Sequence, residues 1–306
     1  MPRRDFLTVL LALAPLAAPF AATAGAALPA PAAARPLRIV AAENFYGDIA
    51  AQLAAPDAQV VSILKNAAAD PHLFEPDIST ARAVATADLV IYNGLAYDVW
   101  MERLLAAARA PHRRVVVAAA ALAHEAVGRN PHLWYDTRAI ERIARSIAEQ
   151  LMQLDPGRRA DYASRLDRFL ASLRPIDMRI AQLRARFAGV SVAATEPIAQ
   201  YLTDAIGLAM SNARFQLAVM NDTEPSARDT EAFERSLETH RVRVLIYNRQ
   251  VSSSAVDRVL EIAQRSRVPI VGMTETEPAG VGYQQWMLTE IDALGRALLD
   301  TAPPAH

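Results

Sequence analysis

Two histidines stand in nearly identical short segments of this 306-residue chain. His72 belongs to DPHLFEPD, residues 70 to 77, and His132 belongs to NPHLWYD, residues 130 to 136. In both segments a proline restricts the backbone directly before the histidine, and a helix-like run follows. A histidine held in this way between a strand and a helix is more typical of a metal ligand than of a solvated surface residue. The two segments therefore predict half of a metal site.

Three glutamates in the second half of the chain could complete this site. Glu196 directly follows a predicted strand and precedes a proline, whereas Glu275 and Glu277 follow the last predicted strand, in GMTETEP. Two neutral imidazoles and two carboxylates form a mixed nitrogen and oxygen set that suits Mn²⁺, Fe²⁺ or Zn²⁺. Because the chain contains no cysteine, this set has no preference for soft ions.

The elements that must position these residues alternate between strand-like and helix-like runs, which favours an α/β fold with parallel sheets. The predicted strands of the first half are 37–42, 59–64, 88–93 and 114–119, and those of the second half are 190–194, 215–220, 243–248 and 268–273. This pattern predicts two lobes, each with a four-stranded, mainly parallel sheet flanked by helices. Open sheets of this kind bind ligands at the carboxyl ends of their strands, so we expect both lobes to face a common cleft.

One long backbone helix is predicted to join the two lobes. Apolar residues recur at helical spacing across 156–188, a stretch that would reach roughly 40 Å at 1.5 Å per residue. Pro175 lies inside this stretch and is expected to kink it. The predicted division is therefore an N-terminal lobe at 37–155, the connecting helix at 156–188 and a C-terminal lobe at 189–303.

The N-terminus has the pattern of an export signal. A twin arginine (Arg3 and Arg4) precedes a short, proline-broken apolar run and small residues, which predicts a cleaved twin-arginine signal at 1–24 and an Ala/Pro linker at 25–36. An N-terminal membrane anchor is the alternative. With no cysteine for lipid attachment or disulfides, we expect a soluble mature protein in the periplasm.

Composition excludes one class of partner. The net charge is −1, and the basic residues are scattered along the chain rather than clustered. Nucleic-acid binding requires a concentrated positive surface, so we expect no nucleic-acid partner.

The motifs taken together resemble a known family, the bacterial solute-binding protein 9 family, which comprises the metal receptors of zinc and manganese ABC importers. The resemblance is carried by DPHLFEP, NPHLWYD, ATEPIAQYL and GMTETEPAGVGYQQWM, with support from Asn93-Gly94-Leu95. It covers essentially all of the predicted mature chain, in the family's order and spacing.

The resemblance implies a ligand set and partners. The metal ligands would be His72, His132, Glu196 and Glu275, although the family usually has aspartate at the fourth position, and Glu277 is a rival. The cargo would be one divalent transition metal ion, Mn²⁺ or Zn²⁺, with Fe²⁺ as a further candidate. A glutamate as third ligand resembles the manganese and iron members, whereas zinc outcompetes manganese at most such sites. The partners would be a membrane permease and its cytoplasmic ATPase, with the mature receptor a monomer.

Neighbouring residues in the two histidine motifs have supporting roles or ordinary ones. Phe74 and Trp134 would shield the metal from water, or simply pack in the core. Asp70 and Asn130 would hydrogen-bond and orient the histidines, or simply stabilise turns. The aspartates that end the two motifs, Asp77 and Asp136, are predicted helix N-caps.

Two other functions remain open from the sequence. An exported metal-dependent hydrolase would keep a coordination position for water and a general base nearby, but HExxH, GxSxG and phosphate-binding glycine loops are absent from the sequence. A receptor for an organic solute would leave the paired histidines unexplained. We therefore expect a non-enzymatic metal receptor.

Overall fold

The computed structural model describes Met1 and residues 35–66, 71–122 and 130–300, with the side chains of His72 and Ala121 not included. Apart from Met1, the predicted export signal at 1–24 lies outside the described residues, as does nearly all of the predicted linker at 25–36. None of the helices among the described residues has the length and apolar character needed to cross a membrane.

In the part of the chain that the structure describes, eight strands form two separate parallel sheets. The first sheet contains β1 (Leu37–Glu43), β2 (Ala58–Leu64), β3 (Leu89–Tyr92) and β4 (Arg114–Val117). The second contains β5 (Ser191–Ala194), β6 (Ala209–Met210), β7 (Leu245–Asn248) and β8 (Ile270–Met273). Their strand orders, β2-β1-β3-β4 and β6-β5-β7-β8, are equivalent. The predicted α/β class with two four-stranded sheets is confirmed.

Eleven α-helices lie among the described residues. They are α1 (Asn44–Ala54), α2 (Ile78–Thr86), α3 (Val99–Ala107), α4 (Thr137–Leu154), α5 (Arg159–Ser172), α6 (Arg174–Phe187), α7 (Gln200–Ile206), α8 (Ala213–Met220), α9 (Ala227–Glu238), α10 (Ser254–Arg265) and α11 (Tyr283–Leu299).

One predicted strand is wrong, because residues 215–220 lie within the helix α8. The fourth strand of the second sheet is instead the two-residue β6. Phe215 is buried and its ring lies 4.9 Å from that of Phe233, whereas Leu217 is exposed. A short apolar run fits a strand and a helix equally well, so its periodicity could not distinguish the two.

The connection between the sheets is two consecutive helices rather than one. α5 ends at Ser172 and α6 begins at Arg174, so the helix is interrupted at Leu173. Pro175 lies in the first turn of α6 and has no N–H to donate to a carbonyl of α5. The predicted effect of this proline therefore appears as a break between two helices.

The helices that follow the two histidine motifs begin at the predicted N-caps. Asp77 accepts a hydrogen bond from the backbone N–H of Thr80 at 2.7 Å, and Asp136 accepts one from that of Arg138 at 2.9 Å. The hydrogen bonds from Thr80 and Ser79 lower the pKa of Asp77 to about 2. The capping interpretation of both aspartates is confirmed.

A continuous apolar core extends through both sheets. It includes the buried face of α4, with Ile140, Ile143 and Ile147, and reaches Trp286 and Leu294 of α11 on the other side of the molecule. Smaller clusters cover the other face of each sheet. The two sheets therefore share one packed apolar core.

One buried carboxyl group makes the stability of this packing dependent on pH. Trp286 and Thr274 donate hydrogen bonds to Glu290, yet burial raises the pKa of Glu290 to about 7. Because folding raises this pKa, the contribution to stability is fully present below the unfolded-state pKa of about 4.3. It is lost as the pH rises through 7.

Replacing Glu290 by glutamine should therefore stabilise the protein more at pH 8.5 than at pH 6, because the amide keeps the shape but cannot ionise. Melting temperatures of wild type and Glu290→Gln across this range test the effect. Glu238→Gln, at an exposed position of α9, serves as the control and should show no such trend. Parallel profiles for wild type and Glu290→Gln would contradict the assignment.

Candidate metal centre

His132 is buried, and the neighbouring Asn130 fixes its ring. Asn130 Oδ1 accepts hydrogen bonds from the His132 backbone N–H at 3.1 Å and from its Nδ1 at 2.6 Å. Asn130 Nδ2 donates to the Pro197 carbonyl at 2.8 Å, which sets the orientation of the amide. An amide oxygen can only accept, so Nδ1 carries the proton and Nε2 is the ring's acceptor nitrogen.

Aromatic rings enclose the imidazole. The ring of Trp134 lies 5.1 Å from that of His132 and 4.8 Å from that of Phe45. The ring of Tyr97 lies 5.3 Å from Trp134. Apolar surroundings of this kind exclude water and strengthen electrostatic interactions at the imidazole.

The end of β3 holds the histidine loop against the first sheet. Asn93 Nδ2 donates to the Pro131 carbonyl at 2.9 Å, and Asn93 Oδ1 accepts from the Tyr46 hydroxyl at 2.7 Å. The carboxylate of Asp98 accepts hydrogen bonds from the backbone N–H groups of Asn93 and Gly94. This network fixes the residue directly before His132.

Two carboxylates from the second sheet face this imidazole. Glu196 follows β5 and Glu275 follows β8, and their exposed fractions are 1% and 0%. β7 lies between these strands, and the amide of Asn248 at its end donates hydrogen bonds through Nδ2 to Oε1 of both glutamates.

Gln250 anchors the loop that carries Glu275. Its Oε1 accepts hydrogen bonds from the backbone N–H groups of Glu275 at 2.6 Å and Thr276 at 3.2 Å. Its own backbone N–H donates to Asn248 Oδ1 at 2.9 Å. The two residues at the end of β7 therefore form one hydrogen-bonded unit with the acidic loop.

Tyr97 reaches the same glutamate from the first half of the chain. Its hydroxyl donates to Glu275 Oε2 at 2.7 Å. Gly94, Leu95 and Ala96, directly before it, all have positive φ angles. A Cβ at Gly94 would lie 2.9 Å from Val117, so this tight turn needs glycine. Burial and the Glu275 charge raise the pKa of Tyr97 well above its usual value, which keeps the hydroxyl protonated as a donor.

Among the described residues, His132, Glu196 and Glu275 form a cluster in which one ligand atom of each lies within 4.8 Å of the others. His132 Nε2 lies 4.0 Å from Glu275 Oε1. Nitrogen and oxygen ligands at about 2.0–2.2 Å from one cation lie roughly 3–4 Å apart, so these side chains would need to move only slightly closer to share a single ion. An imidazole with two carboxylates is the donor set of a divalent transition-metal site.

The first histidine motif is only partly described. Asp70 and the side chain of His72 lie outside the described residues, and the backbone of His72 belongs to a 3₁₀ turn, Pro71–Leu73. Phe74 packs against Trp100 with ring centroids 4.8 Å apart, within the cluster on the outer face of the first sheet.

Glu277 lies outside the three-residue cluster. Its backbone is paired with the side chain of Asn44, which accepts from the Glu277 N–H at 3.0 Å and donates to its carbonyl at 2.6 Å. Burial, followed by the negative charge of Asp48, raises the pKa of Glu277 to about 8. This shift favours the protonated form of the carboxyl group near neutral pH.

A further buried acid, Glu43 at the end of β1, also lies outside the cluster. Burial, followed by the charge of Asp98, raises the pKa of Glu43 well above its usual value. Asp98 is held by the backbone N–H groups at the end of β3, so this pair belongs to the support of the first sheet.

Three uncharged residues of the site, Asn248, Gln250 and Tyr97, are not among the predicted site residues. One signal was present, because LVIYNG (89–94) and VLIYNR (244–249) end the third strand of each sheet with the same residue. Asn93 and Asn248 both use their side chains at the carboxyl end of that strand.

Comparison with known proteins shows related chains. The manganese-binding lipoprotein MntA of Halalkalibacterium halodurans is 27% identical over 145 residues, about half of each chain (46% of this one and 47% of that one). The manganese ABC transporter substrate-binding lipoprotein PsaA of Streptococcus anginosus is 22% identical over 286 residues, 86% of this chain and 89% of its own.

The fold matches a solved structure, the periplasmic zinc-binding protein TroA from Treponema pallidum. The TM-score is 0.74 at 19% identity, covering 87% of this chain and 99% of the TroA chain. The family described as zinc-uptake complex component A, periplasmic (ZnuA), matches residues 39–297. With nearly all of the described fold inside that match, the chain belongs to the ZnuA family of metal solute-binding proteins.

Proposed function

We propose that this protein is a periplasmic receptor that captures a divalent transition metal ion and delivers it to an ABC permease. The observation that carries the proposal is the buried cluster of His132, Glu196 and Glu275, in which an imidazole after the first sheet meets two carboxylates after the second. Burying two carboxylates side by side is costly without a compensating cation. A cation bound here would interact with both halves of the chain.

The metal site is proposed to contain four protein ligands. His72 would add a second imidazole to the cluster, and Glu275 rather than Glu277 would be the fourth ligand. Glu275 is supported by its position in the cluster, to which Glu277 does not belong. Asn130 and Trp134 would support His132 by hydrogen bonding and by excluding water.

The cargo is proposed to be Mn²⁺ or Zn²⁺, with Fe²⁺ as a further possibility from the same donor set. The names of related proteins support this range, since PsaA is a manganese transporter component and TroA is a zinc-binding protein. A carrier that binds and releases an ion requires no catalytic step, so we propose that the protein is not an enzyme.

The proposed partners are a membrane permease and its cytoplasmic ATPase. The mature protein is proposed to be a monomer in the periplasm that delivers its metal ion to the permease. The relatives named as ABC transporter components and the family's periplasmic description support this assignment. Residues 37–155 and 189–303 would act as two lobes joined through 156–188.

Replacing His132 by alanine should weaken metal binding at least about tenfold, because one of the few ligands is removed while the fold is kept. His72→Ala should have a similar effect. Equilibrium competition with a metal indicator on chelator-stripped protein measures both. His112→Ala, at an exposed position, is the matched control. Unchanged affinity in both His72→Ala and His132→Ala would exclude the ligand assignment.

Metal affinity should fall as the pH decreases from 7.5 to 5. Protons compete with the metal for imidazole nitrogen, whose ordinary pKa is about 6.5. Isothermal titrations at several pH values measure this dependence. An affinity that stays constant across the range would be incompatible with histidine ligation.

Bound metal should raise the melting temperature of stripped protein, because the cation binds the folded state and not the unfolded chain. Thermal unfolding with Mn²⁺, Fe²⁺ and Zn²⁺ in turn measures the shift, and Mg²⁺ at the same concentration is the control. If all three transition metals leave the melting temperature unchanged, the receptor function is wrong.

A further inference from the structure

The amide of Asn248 contacts both carboxylates of the metal-site cluster without being a charged ligand itself. Its Nδ2 donates to Glu196 Oε1 and to Glu275 Oε1. The backbone N–H of Gln250 donates to Asn248 Oδ1, which fixes the amide so that its nitrogen faces the carboxylates. Two hydrogens of one amide nitrogen therefore connect the two acids.

Glu275 has a second donor on its other oxygen. Tyr97 donates to Glu275 Oε2 at 2.7 Å, while Asn248 donates to Oε1. Both oxygens of this carboxylate are thus engaged by hydrogen-bond donors, and its rotation is restricted. In Glu196 the Asn248 amide engages Oε1.

Hydrogen bonds at these positions affect how a carboxylate can bind a metal ion. Chelation through both oxygens requires the carboxylate to turn so that a lone pair of each oxygen points at the ion. A donor occupies one of the two lone pairs of an oxygen, leaves the other for the ion, and resists any turn of the group that would break the hydrogen bond. A carboxylate restrained in this way favours coordination through one oxygen.

The number of oxygens offered decides the coordination number of the site. With the imidazole of His132 and that of the proposed ligand His72, two one-oxygen carboxylates would give four ligand atoms, the number that Zn²⁺ takes in tetrahedral sites. If both carboxylates chelate, the same residues give six ligand atoms, which suits octahedral ions such as Mn²⁺.

We propose that Asn248 is a positioning residue that restrains Glu196 and Glu275 to one-oxygen coordination and so favours Zn²⁺ over Mn²⁺. This selectivity role rests on the proposed function of the cluster as a metal-binding site. Tyr97 acts in the same direction, on Glu275 alone.

The test is Asn248→Ser, which removes the bridging amide and introduces no charge. The dissociation constants for Mn²⁺ and Zn²⁺ are measured by anaerobic competition on stripped protein. We expect the ratio of the Mn²⁺ constant to the Zn²⁺ constant to fall roughly tenfold relative to wild type, on the scale of effects at residues that orient ligands. X-ray absorption of the zinc-loaded variant should show a higher coordination number than wild type.

Gln250→Ala controls for general loosening of the acidic loop. It removes the side chain that anchors the Glu275 backbone, so it should weaken the binding of Mn²⁺ and Zn²⁺ by similar factors. The ratio of the two dissociation constants should then stay near its wild-type value. If Asn248→Ser gives this same pattern, or changes nothing, the selectivity role is overturned.

Tyr97→Phe provides a second variant that decides the question even if Asn248→Ser fails to fold. It removes only the hydroxyl that donates to Glu275, and the ratio should fall in the same direction by a smaller factor. An unchanged ratio in Tyr97→Phe, with Asn248→Ser unfolded, would also overturn the proposal. Failure of the proposed metal-binding function would give a different result from failure of the selectivity role. Either the wild-type protein would bind neither metal, or His132→Ala would bind both metals with wild-type affinity.

Discussion

The burial of two carboxylates beside one another is the constraint on which the site depends. Glu196 and Glu275 are both removed from solvent, and like charges in such surroundings repel strongly unless donors or a cation compensate. The chain supplies uncharged donors from Asn248 and Tyr97, and an acceptor nitrogen on His132 directed at the same place. A divalent cation would add the positive charge that favours keeping these acids together, which is the physical basis of the proposed metal site.

The fold meets this constraint by using the same arrangement twice. Both sheets have equivalent strand orders, and an asparagine stands at the end of the third strand of each. Asn93 holds the carbonyl before His132, whereas Asn248 holds the two glutamates directly. The core shared by the two sheets, together with the hydrogen bond from Asn130 to Pro197, fixes the separation between imidazole and carboxylates.

Much of this was predictable from local patterns. Alternating apolar runs predicted the two sheets, and Asp77 and Asp136 predicted where two helices begin. Imidazole and carboxylate side chains at strand ends predicted the cluster members His132, Glu196 and Glu275. The misassigned residues 215–220 form a short run whose period was ambiguous, so only tertiary packing of Phe215 against Phe233 decides their structure. Tyr97 was missed because an uncharged donor has no sequence signature apart from the groups it contacts, and Glu275 lies far away in the chain. Asn248 had one signal, its correspondence with Asn93, but nothing in that signal indicates a contact with two glutamates.

Anomalous diffraction from crystals grown with Mn²⁺ or Zn²⁺ would test the central claim most directly. We expect one strong anomalous peak within about 2.0–2.3 Å of His132 Nε2 and of carboxylate oxygens from Glu196 and Glu275, with His72 as the fourth ligand. A principal peak at Glu277, or a peak bound by residues of one half of the chain alone, would contradict the site described above.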